Sequence, residues 1–318
     1  MKKVLRVIAF VLTLYLISAT FIKYGKMNFF TIEYPMRKVK IEYISQTGHD
    51  NDVLFLGDSR CMAAVAPTLL PVESYNLSVS GGSTVEGFWM LEGYLKNNRP
   101  PEEVYMVFTS NHYMTIDGFE VRTKPFDLFS DAQIQEVDQL LAQNEDAQER
   151  AARYFNTKLY ELNVFTQYLP ELRAAKLLGR RQANEQCMLE MASTKGQHFF
   201  GKQAQEDGAF GDAKFESFTP DPITDLYFEK IIALCEQNHI ALTVVNTPIN
   251  ETTFQALKPA HVDGFQAYMH EKARLHPTLT VRDDILHLPN SCFGDLSHVN
   301  EAGMELYTQY ISELLSGS

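Results

Sequence analysis

Hydrophobic positions in this chain fall into short unbroken runs separated by stretches with helical spacing. Val53–Leu56 is apolar at every position, as a strand covered on both faces requires. Met62–Leu70 has a helical pattern up to the interruption at Pro67, and Tyr75–Val79 reads as a second short strand. Val85–Lys96 places Phe88, Leu91 and Leu95 on one helical face. After Pro100-Pro101, Val104–Phe108 gives a third strand. Asp225–Asn238 is an amphipathic helix leading into Ile240–Val245, a fourth strand. Phe254–Leu275 is helical in part, Leu279–Val281 suits a fifth strand, and Asn300–Leu315 closes the chain as a helix. Strands alternating with helices predict an α/β fold, a doubly wound and mainly parallel sheet in three layers.

Two regions break the alternation. Residues 27–50 read as a polar connector with aromatics at Phe29, Phe30, Tyr34 and Tyr43. Residues 119–222 follow the third strand and exceed any simple connection. Within them Asp131–Leu178 reads as helices rich in Gln, Glu and Ala, and Gln182–Phe218 is polar with no clear period. This insertion is expected to be a cap over the strand ends, an interaction surface, or a helical excursion without a direct role. Residues 51–318 then form one α/β domain carrying the insertion.

The N-terminus has its own pattern. Lys2, Lys3 and Arg6 precede an uncharged run from Val7 to Ile22, and Lys23 and Lys26 follow it. Counted from Val4, residues 4–22 reach the length a bilayer-spanning helix needs, about 17 residues or more. Residues 1–26 are therefore expected to be an uncleaved membrane anchor, with a cleaved signal as the alternative. On that expectation the rest of the chain is an extracytoplasmic domain of a single-pass protein.

Charge narrows the partners. The 318 residues carry 28 Lys and Arg against 40 Asp and Glu, a net charge of −12. Nucleic acid is excluded as a natural ligand, because phosphate binding needs clustered basic residues. Four cysteines, Cys61, Cys187, Cys235 and Cys292, allow three complete pairings, and sequence does not choose among them.

In an open parallel sheet, ligands bind beyond the carboxyl ends of the strands. Those ends are chemically loaded here. The first presents Gly57-Asp58-Ser59, the second Gly81-Gly82, and the third Thr109-Ser110-Asn111-His112. Asp295-Leu296-Ser297-His298 precedes the last helix. A serine hydroxyl is a weak nucleophile until a base takes its proton, and that base needs an orienting partner. An Asp three residues before a His supplies one from the same turn, and glycine amides with an Asn side chain can hold an oxyanion. Each residue alone also suits a helix cap or a tight turn. Their order along the chain is the stronger signal. No compact ligand spacing such as H-E-x-x-H points to a metal, and no cofactor is expected.

The ordered set Ser59, Gly81-Gly82, Asn111 and Asp295-x-x-His298 resembles the SGNH (GDSL-type) hydrolase superfamily over about residues 50–120 and 225–315. The resemblance implies that Ser59 is the nucleophile, His298 the base and Asp295 its orienting partner. It further implies an oxyanion hole from the Ser59 amide, the Gly81 or Gly82 amide and the Asn111 side chain. The third block departs from that pattern, with Thr109-Ser110-Asn111-His112 in place of Gly-x-Asn-Asp. This departure leaves open a non-catalytic protein of the same fold that binds a glycan or acts as a scaffold. The N-terminal anchor followed by LFLGDSR and YNLSVSGG is similar to the membrane-anchored branch that works beside membrane-bound O-acyltransferases. That branch includes partners of polysaccharide acetylation and teichoic acid D-alanylation. A membrane-bound O-acyltransferase as acyl donor, and an envelope polysaccharide or other polymer as acceptor, are the partners so implied.

Overall fold

The computed structural model describes residues 2–24, 31–116, 118–126, 128–144, 148–149, 152–153, 155, 179–201 and 208–317. The side chains of residues 19, 21–24 and 125 lie outside that description. The chain divides into two compact units, one of Met1–Pro35 with Thr123–Leu189, the other of Met36–Arg122 with Glu190–Ser318.

The second unit is built on a five-stranded sheet. Its strands are β1 (Val53–Gly57), β2 (Ser74–Asn76), β3 (Glu103–Val107), β4 (Ala241–Val245) and β6 (Leu279–Arg282), in the order β2-β1-β3-β4-β6. Every pairing is parallel. Two short strands, β5 (Ile249–Asn250) and β7 (His287–Leu288), pair in parallel beside it. The register sets Gly57 opposite Val107 and Val107 opposite Val245, so β1, β3 and β4 end flush. The loops that follow them leave from one line. This order reverses direction between β1 and β3, where ligands collect in doubly wound folds.

Side chains of β1 alternate between the two faces. Val53 and Phe55 join a cluster with Cys61, Cys292, Tyr307 and Ile311, under α3 (Ser59–Ala64) and α10 (Glu301–Leu315). Leu56 faces the other layer, where Gly87 of α4 (Thr84–Asn97) lies against Leu56, Phe108 and Ile231 of α7 (Pro222–Gln237). The run that looked fully apolar is fully buried because helices cover both sides.

Several boundaries shift for physical reasons. α3 stops at Ala64, since the residue before Pro67 must be extended, and Ala66 is, at φ −103° and ψ 95°. Asn76 takes up the exposed carbonyls at that end, donating from Nδ2 to Cys61 O and Val65 O, each at 3.0 Å. The second strand is shorter than expected, yet Leu77 N and Val79 N still donate to Phe55 O and Gly57 O, at 2.8 and 2.9 Å. The helical segment after β4 is two helices, α8 (Glu251–Ala256) and α9 (Pro259–Leu275), separated at Pro259. The expected connector contains a helix, α2 (Tyr34–Ser45), whose Arg37 and Lys40 are buried. Its aromatics Phe29 and Phe30 lie outside the described residues.

In the first unit, α1 (Lys2–Tyr24) carries the apolar N-terminal run as a helix. Among the described residues no helix is long and apolar enough to cross a membrane. The span expected over 4–22 includes residues 19, 21 and 22, whose side chains lie outside the description. The insertion supplies α5 (Asp131–Asn144) and α6 (Gly179–Ser193); its residues 156–178 and 202–207 lie outside the described residues.

Candidate active site

Gly57 ends β1, and the chain turns directly into α3. An added Cβ at Gly57 would collide with Cys61 Cβ and with the Val107 carbonyl oxygen, so this turn tolerates only glycine. Asp58 caps α3, its Oδ1 accepting from Arg60 N at 3.0 Å and Cys61 N at 3.3 Å. The cap reading of Asp58 is therefore correct, while Ser59 stands one residue further, at the first turn, half-buried.

Asp295–His298 belongs to a loop closed by an antiparallel bridge between Phe293 and Val299. Asp295 Oδ1 accepts from Ser297 N and His298 N, each at 2.8 Å, which folds the loop back on itself. Its Oδ2 lies 2.7 Å from His298 Nδ1. An ionised carboxylate only accepts, so Nδ1 carries the imidazole proton and Nε2 presents a lone pair. That Nε2 lies 2.8 Å from Ser59 Oγ. Burial would raise the Asp295 carboxyl, but the hydrogen bond from His298 Nδ1, with the Ser297 and His298 backbone donors, prevails and holds it well below the usual range. Phe200 stacks on the outer face of the imidazole, with ring centroids 4.2 Å apart and planes 26° apart.

The glycine pair divides. Gly82 N donates to Val79 O at 2.8 Å, so its amide is committed to the turn and cannot serve an oxyanion. The Gly81 amide has no acceptor in the protein among the described residues, and Gly81 sits at φ +61°, where other residues are strained. Arg37 Nη2 donates to Ser80 O at 2.5 Å and fixes the same peptide unit from behind. Val79 N donates to Gly57 O at 2.9 Å, which ties the strand leading to Gly81 to the end of β1, and the Ser59 amide also has no acceptor among the described residues.

Asn111 lies in the turn Ser110–Tyr113 after β3. Its backbone N donates to Asp212 Oδ1 at 3.2 Å, and its Oδ1 accepts from Thr109 Oγ1 at 2.5 Å. His112 Nε2 meets Asp58 Oδ2 at 2.5 Å. Burial would raise the Asp58 carboxyl, but His112 and then Arg60 outweigh it and hold it well below the usual range. The altered third block thus puts an imidazole against the acid of the first. Among the described residues no group of three or more His, Cys, Asp or Glu side chains is placed to hold a metal.

Sequence reasoning passed over Arg60, Asp212 and Phe200. Arg60, 6% exposed, pairs with Asp212, 3% exposed, at 2.8 Å. Burial opposes charge on both, and each partner offsets it, so the guanidinium is held above its usual value and the carboxyl below. A charge directly before the small apolar run Cys61–Ala66 was the one available signal for Arg60. Asp212 lies in the irregular part of the insertion and had none. A second serine–histidine pair, Ser110 Oγ and His261 Nε2 at 2.7 Å, is not an activated nucleophile. Ser110 gives its only proton to Asp212 Oδ1 at 2.9 Å, so His261 must donate to it.

A small pocket of about 10 Å³ is lined by Thr109, Ser110, Asp212, Thr247, Ile249 and Leu257 among others, with neither Ser59 nor His298 in its wall. All four cysteines are free. Cys61 and Cys292 share one buried cluster, and burial pushes the Cys61 thiol up to about 12, so it behaves as a small hydrophobe.

No protein-family model matches this chain, and no curated protein matches it. Among solved structures it is similar to one from Streptococcus pneumonia provisionally named as a platelet activating factor. The two share 10% identity over 89% of this chain and 92% of that one, with a TM-score of 0.41.

Proposed function

We propose that this chain is a serine-dependent enzyme of ester chemistry, catalysing O-acyl transfer or ester hydrolysis on a cell-envelope glycan or other polymer. One observation carries the reading: His298 bridges Ser59 Oγ at 2.8 Å and Asp295 Oδ2 at 2.7 Å, with the proton placed so that Nε2 accepts. In the step so supported, His298 Nε2 takes the Ser59 proton as Oγ attacks an acyl carbonyl carbon. The carbonyl oxygen becomes an oxyanion next to the unoccupied Ser59 and Gly81 amides and the Asn111 side chain. Collapse expels the leaving oxygen, which receives the proton from His298 and leaves an acyl-serine. A sugar hydroxyl or water then gives its proton to the same Nε2 and attacks, releasing ester or acid and restoring Ser59.

The membrane setting is part of the proposal. Val4, Leu5, Val7, Ile8, Phe10, Val11, Leu12, Leu14, Leu16 and Ile17 are all exposed on α1, with Lys2, Lys3 and Arg6 in its first turns. Such a surface favours a lipid environment, an anchor over 4–22 and a domain outside the cytoplasm. A membrane-bound O-acyltransferase as donor follows from the sequence resemblance and from this setting.

The test is covalent. The full-length chain in detergent is incubated with a fluorophosphonate probe, and the adduct is located by peptide mass spectrometry. Labelling on the Ser59 peptide that disappears in Ser59→Ala is the expected result. Absence of labelling in the wild type, with the protein folded, overturns the reading.

A further inference from the structure

The oxyanion side of the site is held by a residue from the insertion, not from the four sequence blocks. Asp212 sits in the turn Gly211–Lys214 and is almost wholly buried. Its Oδ2 takes Arg60 Nη1 at 2.8 Å, and Arg60 is the residue directly after Ser59. Its Oδ1 takes Ser110 Oγ at 2.9 Å and Asn111 N at 3.2 Å. A single carboxylate therefore ties the nucleophile's helix to the turn that carries Asn111.

The side chain of Asn111 is set by the same network. Arg60 Nη1 also donates to Thr109 Oγ1 at 2.7 Å, so that oxygen must turn its own proton elsewhere. The proton goes to Asn111 Oδ1 at 2.5 Å. With Oδ1 engaged, the free end of Asn111 is its NH₂ group, a donor, which is what an oxyanion requires. Gly211 makes the approach possible. It sits at φ +55°, and a Cβ there would meet Arg60 Nη2 at 2.5 Å. Phe210 lies over the guanidinium, 5.9 Å from ring centroid to Cζ.

We infer that Asp212 is a positioning residue that, through Arg60, Thr109 and the Asn111 backbone, orients the Asn111 amide as an oxyanion donor. The inference rests on the acyl-serine reading above and deepens it. It also gives the segment around 208–214 a role in the reaction, as the clamp that completes the site.

The test uses p-nitrophenyl acetate hydrolysis by the full-length chain, with thermal unfolding and fluorophosphonate labelling measured alongside. Asp212→Asn keeps the shape and removes the charge. It should lower kcat by about 10- to 100-fold, less than the roughly 10² to 10³-fold of losing an oxyanion donor outright, and leave KM within about 3-fold. In an Asn111→Ala background the same substitution should change kcat by less than about 2-fold, because the two act as one unit. Wild-type kcat in Asp212→Asn overturns the inference. So does a loss that multiplies on Asn111→Ala, since that would show action by another route. If Asp212→Asn leaves Arg60 uncompensated and does not fold, Arg60→Gln/Asp212→Asn removes both charges and is read by the same two criteria. A wild type that never labels at Ser59 sinks the acyl-serine reading instead, and the two failures are thereby distinct.

Discussion

His298 Nε2 and Ser59 Oγ stand 2.8 Å apart although 239 residues separate them in the chain. The flush ends of β1, β3 and β4, and the closed loop before α10, bring them together. A contact of that span, with an acid on the far nitrogen, supports a shared proton rather than two separate caps.

Ser59→Ala and His298→Ala are each expected to lower ester turnover by roughly 10⁴-fold or more, with the double variant little worse than either. Residues acting in one step are not additive. Hydrolysis of p-nitrophenyl acetate beside thermal unfolding checks this, and losses that multiply would separate the two residues.

Asp295→Asn should reduce kcat by roughly 10² to 10⁴-fold while preserving the fold. The new amide can turn its NH₂ toward Nδ1, which then becomes the acceptor and leaves Nε2 protonated toward Ser59. A Ser59 that still labels at the wild-type rate in this variant would refute the tautomer argument.

The Asp58–His112 pair predicts an acid limit on stability. Asp58 is depressed in the folded state, so its contribution is present above its unfolded value of about 3.9 and is lost as pH falls through the folded value. His112→Ala removes the partner at 2.5 Å and raises that folded value. The acid-unfolding midpoint should therefore move to higher pH, as followed by circular dichroism. An unchanged midpoint would mean that the pair contributes nothing.

Lys40 predicts the opposite limb. Its Nζ is fully buried against Ser78 O, and burial lowers its value to about 7, although nearby Cys61 pulls the other way. Between about 7 and the ordinary 10.5 the unfolded chain holds a proton that the folded chain lacks. Stability from this residue therefore rises with pH across that window, and the cost is complete below it. Relative to Lys40→Met, the wild type should gain stability from pH 7 to pH 10, measured by urea unfolding. A constant difference would show that Lys40 stays charged when buried.

The strand runs, the parallel α/β class and the three residues whose side chains meet, Ser59, His298 and Asp295, could be read from the chain alone. Those features are local: Val53–Leu56 is apolar because both faces are covered, and Asp295 reaches His298 within one turn. The chain also pointed to Gly81-Gly82 but could not divide them, because the choice depends on Gly82 N donating to Val79 O. Tertiary structure alone decided the pairs between distant segments, Arg60 with Asp212, His112 with Asp58, and Phe200 on the His298 ring. None has a periodicity or spacing to read. A buried charge is tolerated only where an opposite charge or a hydrogen-bonding group meets it, and which segment supplies that partner depends on which loops the fold brings together.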